Sequence, residues 1–568
     1  MKRVASLAVL LVLCTSTSFS DKQGLRFVSI TLHDVVDTRE ELSADAITTD
    51  RLVALFEFLR GDGWTAISLD DVYQASRLGH PLPDRAVLIT IDDGYRSLHT
   101  RVFPLLLAYR MPAVAALVGS WIETDVSRKR YISWAEAREM ERSGLVEFAS
   151  HTYDLHHGML GNPQGSLLPA AGFRKYDPIS GYEDEHQYRI RIREDLDKSV
   201  ALMKRELGKA PRALAWPYGR YTAAADDVAR DAGFSLALTL DSEPADASKP
   251  MALARYLLSA DSDYKKIVSD LRALTKPPSV QRLVRLDPST LWTADAHETE
   301  ARLGRAIERV RKLGATSIVI DAALTGPDGT LSATWFPNSS LPVQADVFSR
   351  AAWQMHVRAG VRVFGRLPVK AALNTLKDPE RVLALCRDFG VAAPIDGFVL
   401  TEVPQLAAMK TESGLEDETP WAVEKWRKAV EYSALNPSDA LALRCFRIVE
   451  AARPQLSLAL FSTDQTLAGP SSIADMTLIA TPNNPKEAAR LLERLKKLAG
   501  SPELFPRRLG VWIEGSKPPS SSDLIAIARM FQRNGISVIG WADDMIGDKP
   551  QAALVAGSVS ASSFPVKF

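Results

Sequence analysis

The chain is 568 residues long, so two or three hydrophobic cores are expected, not one. Lys plus Arg and Asp plus Glu balance at 69 each, which excludes the cationic excess of a polyanion-binding protein and argues against a nucleic-acid partner. With only three cysteines, a disulfide-stapled scaffold is excluded and the cores must hold the fold.

The chain begins MKRVASLAVLLVLCTSTSFS, a basic start (Lys2, Arg3), an apolar run from Val4 to Leu13 and a small-residue stretch ending Ser18-Phe19-Ser20. That run is too short to span a bilayer, so residues 1–20 read as a secretory signal and the mature protein as exported to the periplasm. Cys14 raises the alternative of a lipid anchor in the outer membrane. A bacterial lipobox wants a small residue before the cysteine, and Leu13 stands there, so simple cleavage is favoured.

From LRFVSITLH (Leu25–His33) onward, short apolar strands alternate with amphipathic helices. TDRLVALFEFLRGDG is helical by its apolar spacing and closes on glycine. WTAISLDDVYQA, AVLITIDDG, PAVAALVG, LVEFASHT, RALAWPYG and FSLALTL read as strands. The rhythm predicts an α/β fold, a parallel sheet or distorted (β/α) barrel over residues 21–270. A Pro-Pro turn in LTKPPSVQ marks a boundary, and eight further strand–helix units over residues 276–568 predict a second, (β/α)8 barrel.

In the first half the chemistry gathers at strand ends, the edge where parallel sheets place their sites. VLITIDDGYRS sets Asp92 and Asp93 beside each other at the mouth of a buried strand. Two adjacent carboxylates are costly there unless a cation lies between them or one has a proton to move. The next strand-end segment, HTYDLHHG, supplies His151, His156 and His157, three of the nine histidines. Asp93, His151 and His156 are a metal set with open positions. Asp92, beside them and not ligating, would accept a proton from the attacking water. His33 would be the general acid, and the backbone N–H of Tyr218, after Pro217 in WPYG, an oxyanion donor. Trp216 and Leu238 are further apolar candidates at these strand ends, for which the resemblance described next implies a pocket around an acetyl methyl. The donor set accepts zinc, cobalt, nickel or iron without choosing among them.

TIDDG, SHTYDLH and WPYG together resemble the motifs of the polysaccharide deacetylases of carbohydrate esterase family 4. That resemblance implies a metal-dependent N-deacetylase with Asp92 as base and Asp93 as metal ligand. TLHDV (Thr31–Val35) precedes the aspartates instead of coming last, a circular permutation. With the longer histidine spacing and GNPQGSLLPAAGFRKY, the chain resembles the branch acting on poly-β-1,6-N-acetylglucosamine in biofilm export. WFPNSSLPVQADVFSRAAWQ (Trp335–Gln354) resembles the second barrel of those proteins. The resemblance implies that polymer as substrate, an outer-membrane export porin or periplasmic scaffold as partner, and a monomer. The arginine that many members place before the proline-aromatic pair is absent, with Ala215 or Trp216 in its place; Arg212 is near in sequence.

In the second half, strand ends offer Asp287, Asp321, Arg366, Glu402, Asp464, Glu514, Asp543 and Asp544, with Trp335, Trp512 and Trp541 for stacking on sugars. The hydrolytic relatives carry an aspartate pair after the fourth barrel strand, where this chain reads Thr401-Glu402-Val403. Binding the partly deacetylated polymer is therefore favoured over cleaving it. The alternatives are deacetylation of a chitin-like or peptidoglycan glycan, and a polymer-binding export module with weak deacetylase activity.

Overall fold

The computed structural model describes residues 22–559 apart from 126, 128, 261–263, 275–279, 327, 410–426, 464–466, 468, 500–507, 516–517 and 548–550. The leader with Cys14, the Pro-Pro turn at 277–278 and Asp464 lie outside the described residues. Among those described, no helix is long and apolar enough to cross a membrane.

The first half is built on one open sheet of nine strands: β1 (Arg26–Leu32), β2 (Thr65–Ile67), β3 (Ala86–Ile91), β4 (Ala113–Leu117), β5 (Val146–Ser150), β6 (Ala213–Ala215), β7 (Leu236–Leu238), β8 (Ala245–Asp246) and β9 (Tyr256–Leu257). The order is β7-β6-β5-β4-β3-β1-β8, with β2 beside β3 and β9 beside β1, and every pairing but β1–β8 is parallel. It is a half-barrel that does not close. All six residues of β3 and all five of β4 are buried, as sheets covered on both faces require. Helix α1 (Thr49–Gly61) turns Leu52, Leu55, Phe56 and Leu59 onto that core. The stretch WTAISLDDVYQA is only a three-residue strand before a helix over Leu69–Leu78. Ser68 and Asp71 form a capping box there, which sets the helix start ahead of the apolar run. Helix α2 (Glu185–Leu207) packs across the histidine segment, and α3 (Tyr264–Leu274) continues past residue 270 to pack on α1, with Arg272 bonded to Asp62.

The second half is a closed parallel barrel of eight strands: β10 (Gln281–Leu286), β11 (Ser317–Asp321), β12 (Arg362–Arg366), β13 (Gly397–Thr401), β14 (Ser457–Ser462), β15 (Met476–Pro482), β16 (Leu509–Glu514) and β17 (Val538–Ala542). Leu283, Val319, Phe364, Val399, Ala459, Leu478, Trp512 and Val538 fill its interior, and helices such as α4 (Ala296–Leu313) and α5 (Phe348–Ala359) form the outer layer.

The two halves touch through polar and aromatic contacts. The Asn162 amide donates to the Asp346 carbonyl (2.8 Å) and the Tyr182 hydroxyl to the Asp346 carboxylate (2.7 Å). Arg220 faces Asp396 at 3.4 Å, Arg453 donates to the Tyr221 carbonyl, and Arg350 of α5 donates to the Leu167 carbonyl.

Candidate metal and hydrolytic centre

Parallel register brings the strand ends to one row. Leu32 pairs with Ile91, Leu117 with Ser150, and Ala215 with Leu238, so the next residues, His33, Asp92, His151 and Trp216, all leave the same sheet edge. The Asp92 amide still donates to the Leu32 carbonyl and the His151 amide to the Leu117 carbonyl, which extends the ladder by one step and fixes both side chains. Immediately afterwards the backbone turns sharply. Asp93 has φ 73°, Thr152 φ 69° and Tyr218 φ 57°, a left-handed conformation that costs a non-glycine residue about 1–3 kcal/mol and persists only where the surroundings enforce it. Gly94 follows at φ 81°, and a Cβ there would come within 2.9 Å of Leu117.

Asp93, His151 and His156 converge, their ligand atoms within 4.8 Å of one another. Asp93 Oδ1 lies 3.5 Å from His151 Nε2 and 3.4 Å from His156 Nε2, and it is buried without a hydrogen-bond partner. His151 gives its other nitrogen, Nδ1, to the Ala215 carbonyl at 2.8 Å, the backing that fixes a ligating imidazole's tautomer. Burial, aided by the charge of His151, lowers the His156 pKa to about 3, so its ring is neutral as a ligand must be. Burial also pushes the Asp93 carboxyl up, against the pull of His33 and His151. The three residues fit a divalent metal ion.

Helix α2 holds the histidine turn. The Asp195 carboxylate accepts the Tyr153 and Asp154 amides (2.8 and 2.7 Å), and Ser199 bonds Ser150. The aromatic rings of Trp121 and Tyr218 flank His156 at 4.8 and 4.6 Å.

Asp92 has its Oδ2 3.8 Å from His151 Nε2, and differs from Asp93 in having a hydrogen-bonded cationic partner. Arg255, fully buried at the start of β9, donates Nη1 to Asp92 Oδ1 (2.7 Å), Thr90 Oγ1 (3.1 Å) and Thr31 Oγ1 (3.2 Å), and Nε to the Thr239 carbonyl. Burial alone would raise the Asp92 carboxyl, but the Arg255 guanidinium holds it well below the usual carboxylate range. Arg212 does not reach the site: it pairs with Glu147 and Asp70. The missing arginine is thus supplied by Arg255, in LARYLL, where an arginine inside an apolar run was the only sequence signal. His33 is buried beside these carboxylates, with Nδ1 unpartnered, and its loop is tied to theirs by Ser97, whose hydroxyl bonds Asp34 and accepts the Val35 amide.

Trp216 is fully buried, packed with Leu155, Tyr188 and Ile192 and stacked on Tyr221, while Leu238 belongs to a different core cluster with Leu88 and Ala116. The Trp216 amide donates to the Leu238 carbonyl at 3.0 Å, so the two residues are backbone neighbours on adjacent strands. Pro217 is buried and opens a 3-10 turn in which the Gly219 and Arg220 amides bond back to Trp216 and Pro217, closing the turn without the Tyr218 amide.

In the barrel, Trp335 and Trp541 are core residues, 1% and 0% exposed, and Trp512 fills the interior, so none offers a face to a sugar. Asp321 is clamped by Arg285 and Arg366, each at 2.6 Å. Glu402 is exposed at φ 58° and pairs with Lys370. Asp287 caps a short turn, Asp543 pairs with Arg309, and Asp544 accepts the Ile546 and Gly547 amides of a turn. Burial raises the Glu514 carboxyl, with Arg366 and Arg285 opposing.

A parallel half-barrel that carries an aspartate–histidine set able to hold a metal, joined to a (β/α)8 barrel, defines the class of the fold and site. Residues 79–237 match the family described as polysaccharide deacetylase, and residues 285–427 match hypothetical glycosyl hydrolase family 13. Two successive stretches of the chain, one in each half, are thus similar to a polysaccharide deacetylase and to a glycosyl hydrolase. It is 34% identical over 356 residues to the poly-beta-1,6-N-acetyl-D-glucosamine N-deacetylase of Escherichia coli K12, covering 60% of this chain and 53% of that protein. It is 23% identical over 225 residues to the protein of the same name from Staphylococcus aureus MSSA476, covering 39% and 71%. The chain spans about half the length of the Escherichia coli relative. Among solved structures, the BpsB deacetylase domain of Bordetella bronchiseptica is 38% identical, covering 41% of this chain and 96% of that one, with a TM-score of 0.37.

Proposed function

We propose that this protein removes N-acetyl groups from poly-β-1,6-N-acetylglucosamine by metal-dependent hydrolysis, with the barrel binding the partly deacetylated polymer. Asp92 and Asp93, adjacent in sequence, are partnered differently: Asp93 Oδ1 lies between two imidazoles, while Asp92 is bonded through Oδ1 to a buried guanidinium, with its Oδ2 3.8 Å from His151. That division of labour carries the assignment. A divalent cation held by Asp93, His151 and His156 supplies Lewis-acid activation of water and of the acetamide carbonyl. Asp92, kept ionised and oriented by Arg255, takes the proton of the attacking water. The amide of Tyr218, whose ring packs 4.6 Å from that of His156, would receive the oxygen that becomes negative. His33 protonates the amine as the C–N bond breaks, giving acetate and a glucosamine unit.

The named relatives support the linkage, and the basic, apolar leader supports export to the periplasm, where a monomer would act on polymer passing to an outer-membrane export porin. Among the described residues, Asp321 is clamped by two arginines, Glu402 is solvent-exposed and paired with Lys370, and burial raises the Glu514 carboxyl, which favours binding over cleavage. Asp92→Asn and His33→Ala test the roles: under saturating metal each should lose about 100-fold or more in kcat with the metal still bound. Near-normal turnover in either variant would remove that residue from the chemistry.

A further inference from the structure

Resting on the deacetylase assignment, we propose that Trp353 of the second-half barrel is a positioning residue for the first-half site, acting through Tyr218. Trp353 stands on α5, and its ring meets that of Tyr218 edge-to-face at 6.2 Å and 75°. Tyr218 in turn lies 4.6 Å from the ring of His156. A contact between the halves thus ends two side chains away from the metal set.

Tyr218 needs such support. Its backbone is left-handed, a conformation a bulky non-glycine residue keeps only when its surroundings over-determine it. The amide it presents is the one left unused by the closing bonds of the turn. A small rotation of this peptide would move both the oxyanion donor and the ring that backs His156.

Trp353 is itself locked. Arg350, one helical turn earlier on the same face of α5, lies 5.3 Å over the indole. Arg350 is bonded to Glu300 of α4 and to the Leu167 carbonyl of the first half. The indole Nε1 is buried with no hydrogen-bond partner, a deficit that something else must offset. An indole set between a guanidinium and a tyrosine, with its N–H turned inward, is occupied as a wedge and does not present a platform for a sugar ring.

The test uses the full chain with Trp353→Ala and Trp353→Phe. Turnover is measured on a β-1,6-linked N-acetylglucosamine pentamer and on p-nitrophenyl acetate, alongside hydrogen exchange of the Gly219 and Arg220 amides in metal-free protein. The W353A variant should lower kcat roughly tenfold or more on both substrates, with KM nearly unchanged. It should also speed exchange at those two amides, and W353F should restore most of both. Unchanged exchange, or faster exchange with unaffected kcat, would overturn the proposal. A loss confined to KM for the pentamer would also overturn it, by making Trp353 a sugar contact. A wild-type chain inactive on every acetylated substrate would defeat the deacetylase assignment instead, and the exchange rates would still decide whether Trp353 holds the Tyr218 turn.

Discussion

Arg255 Nη1 lies 2.7 Å from Asp92 Oδ1, and both side chains are sealed from solvent. The same guanidinium ties β1, β3 and the segment after β7 through Thr31, Thr90 and the Thr239 carbonyl. It both pairs Asp92 and knits the sheet edge that carries it.

Replacing Arg255 with Met should therefore cost on two counts. An uncompensated buried carboxylate destabilises the fold by about 3–5 kcal/mol. Turnover should fall about 100-fold, because Asp92 loses its orientation and is no longer held ionised. Arg255→Lys keeps the charge without the fork and should fall between the two. Denaturant unfolding and kcat measured on the same preparations check both effects.

Metal binding should depend on α2 as well as on the ligands. His156→Ala should weaken binding by more than about 100-fold, since even loss of a supporting partner costs about 10–100-fold. Asp195→Ala, which frees the Tyr153 and Asp154 amides, should fall in that lower range. Calorimetric titration of the chelator-stripped protein with zinc measures both. Chelation should abolish turnover, and added zinc, cobalt, nickel or iron should restore it to different degrees.

The strand–helix rhythm, eight barrel strands and the convergence of Asp92, Asp93, His151 and His156 were legible because each rests on local pattern: apolar runs ending in a chemically costly residue. Arg255 was not legible, because its role depends on β9 folding back beside β1, some 220 residues away in sequence, and isolated arginines carry no periodic signal. The burial of the barrel tryptophans was hidden for a related reason. A tryptophan at a strand end reads alike whether it faces solvent or core, and only the closed barrel buries Trp335 and Trp541. Asp321 read as a free carboxylate because the two arginines that clamp it come from neighbouring strands.

The contact between the halves should respond to pH. Asp346 is enclosed by the Asn162 and Tyr182 donors, with the Gln164 side chain accepting its amide. Burial pushes its carboxyl from 3.8 up to about 7, against the Tyr182 and Ser349 hydrogen bonds. Below pH 3.8 it is protonated folded or unfolded, and its contribution is complete. As pH rises from there the unfolded chain ionises first, so stability drains away until about pH 7 and is flat beyond. Urea midpoints of the full chain between pH 5 and 8 should decline in the wild type, and this component of the decline should vanish in Asp346→Asn.

The barrel carboxylates should behave as structure. Asp321→Asn should cost roughly 1–3 kcal/mol, less than for a sealed pair because both arginines are partly open to solvent. Glu402→Gln should leave stability and the length of any glycan product unchanged. Thermal unfolding and product sizing test the two variants.

The most direct measurement is mass spectrometry of β-1,6-linked N-acetylglucosamine oligomers incubated with the metal-loaded full chain. Stepwise loss of acetyl groups at constant chain length, abolished in Asp92→Asn, is the predicted result. Intact acetyl groups on these oligomers at saturating metal would contradict the account.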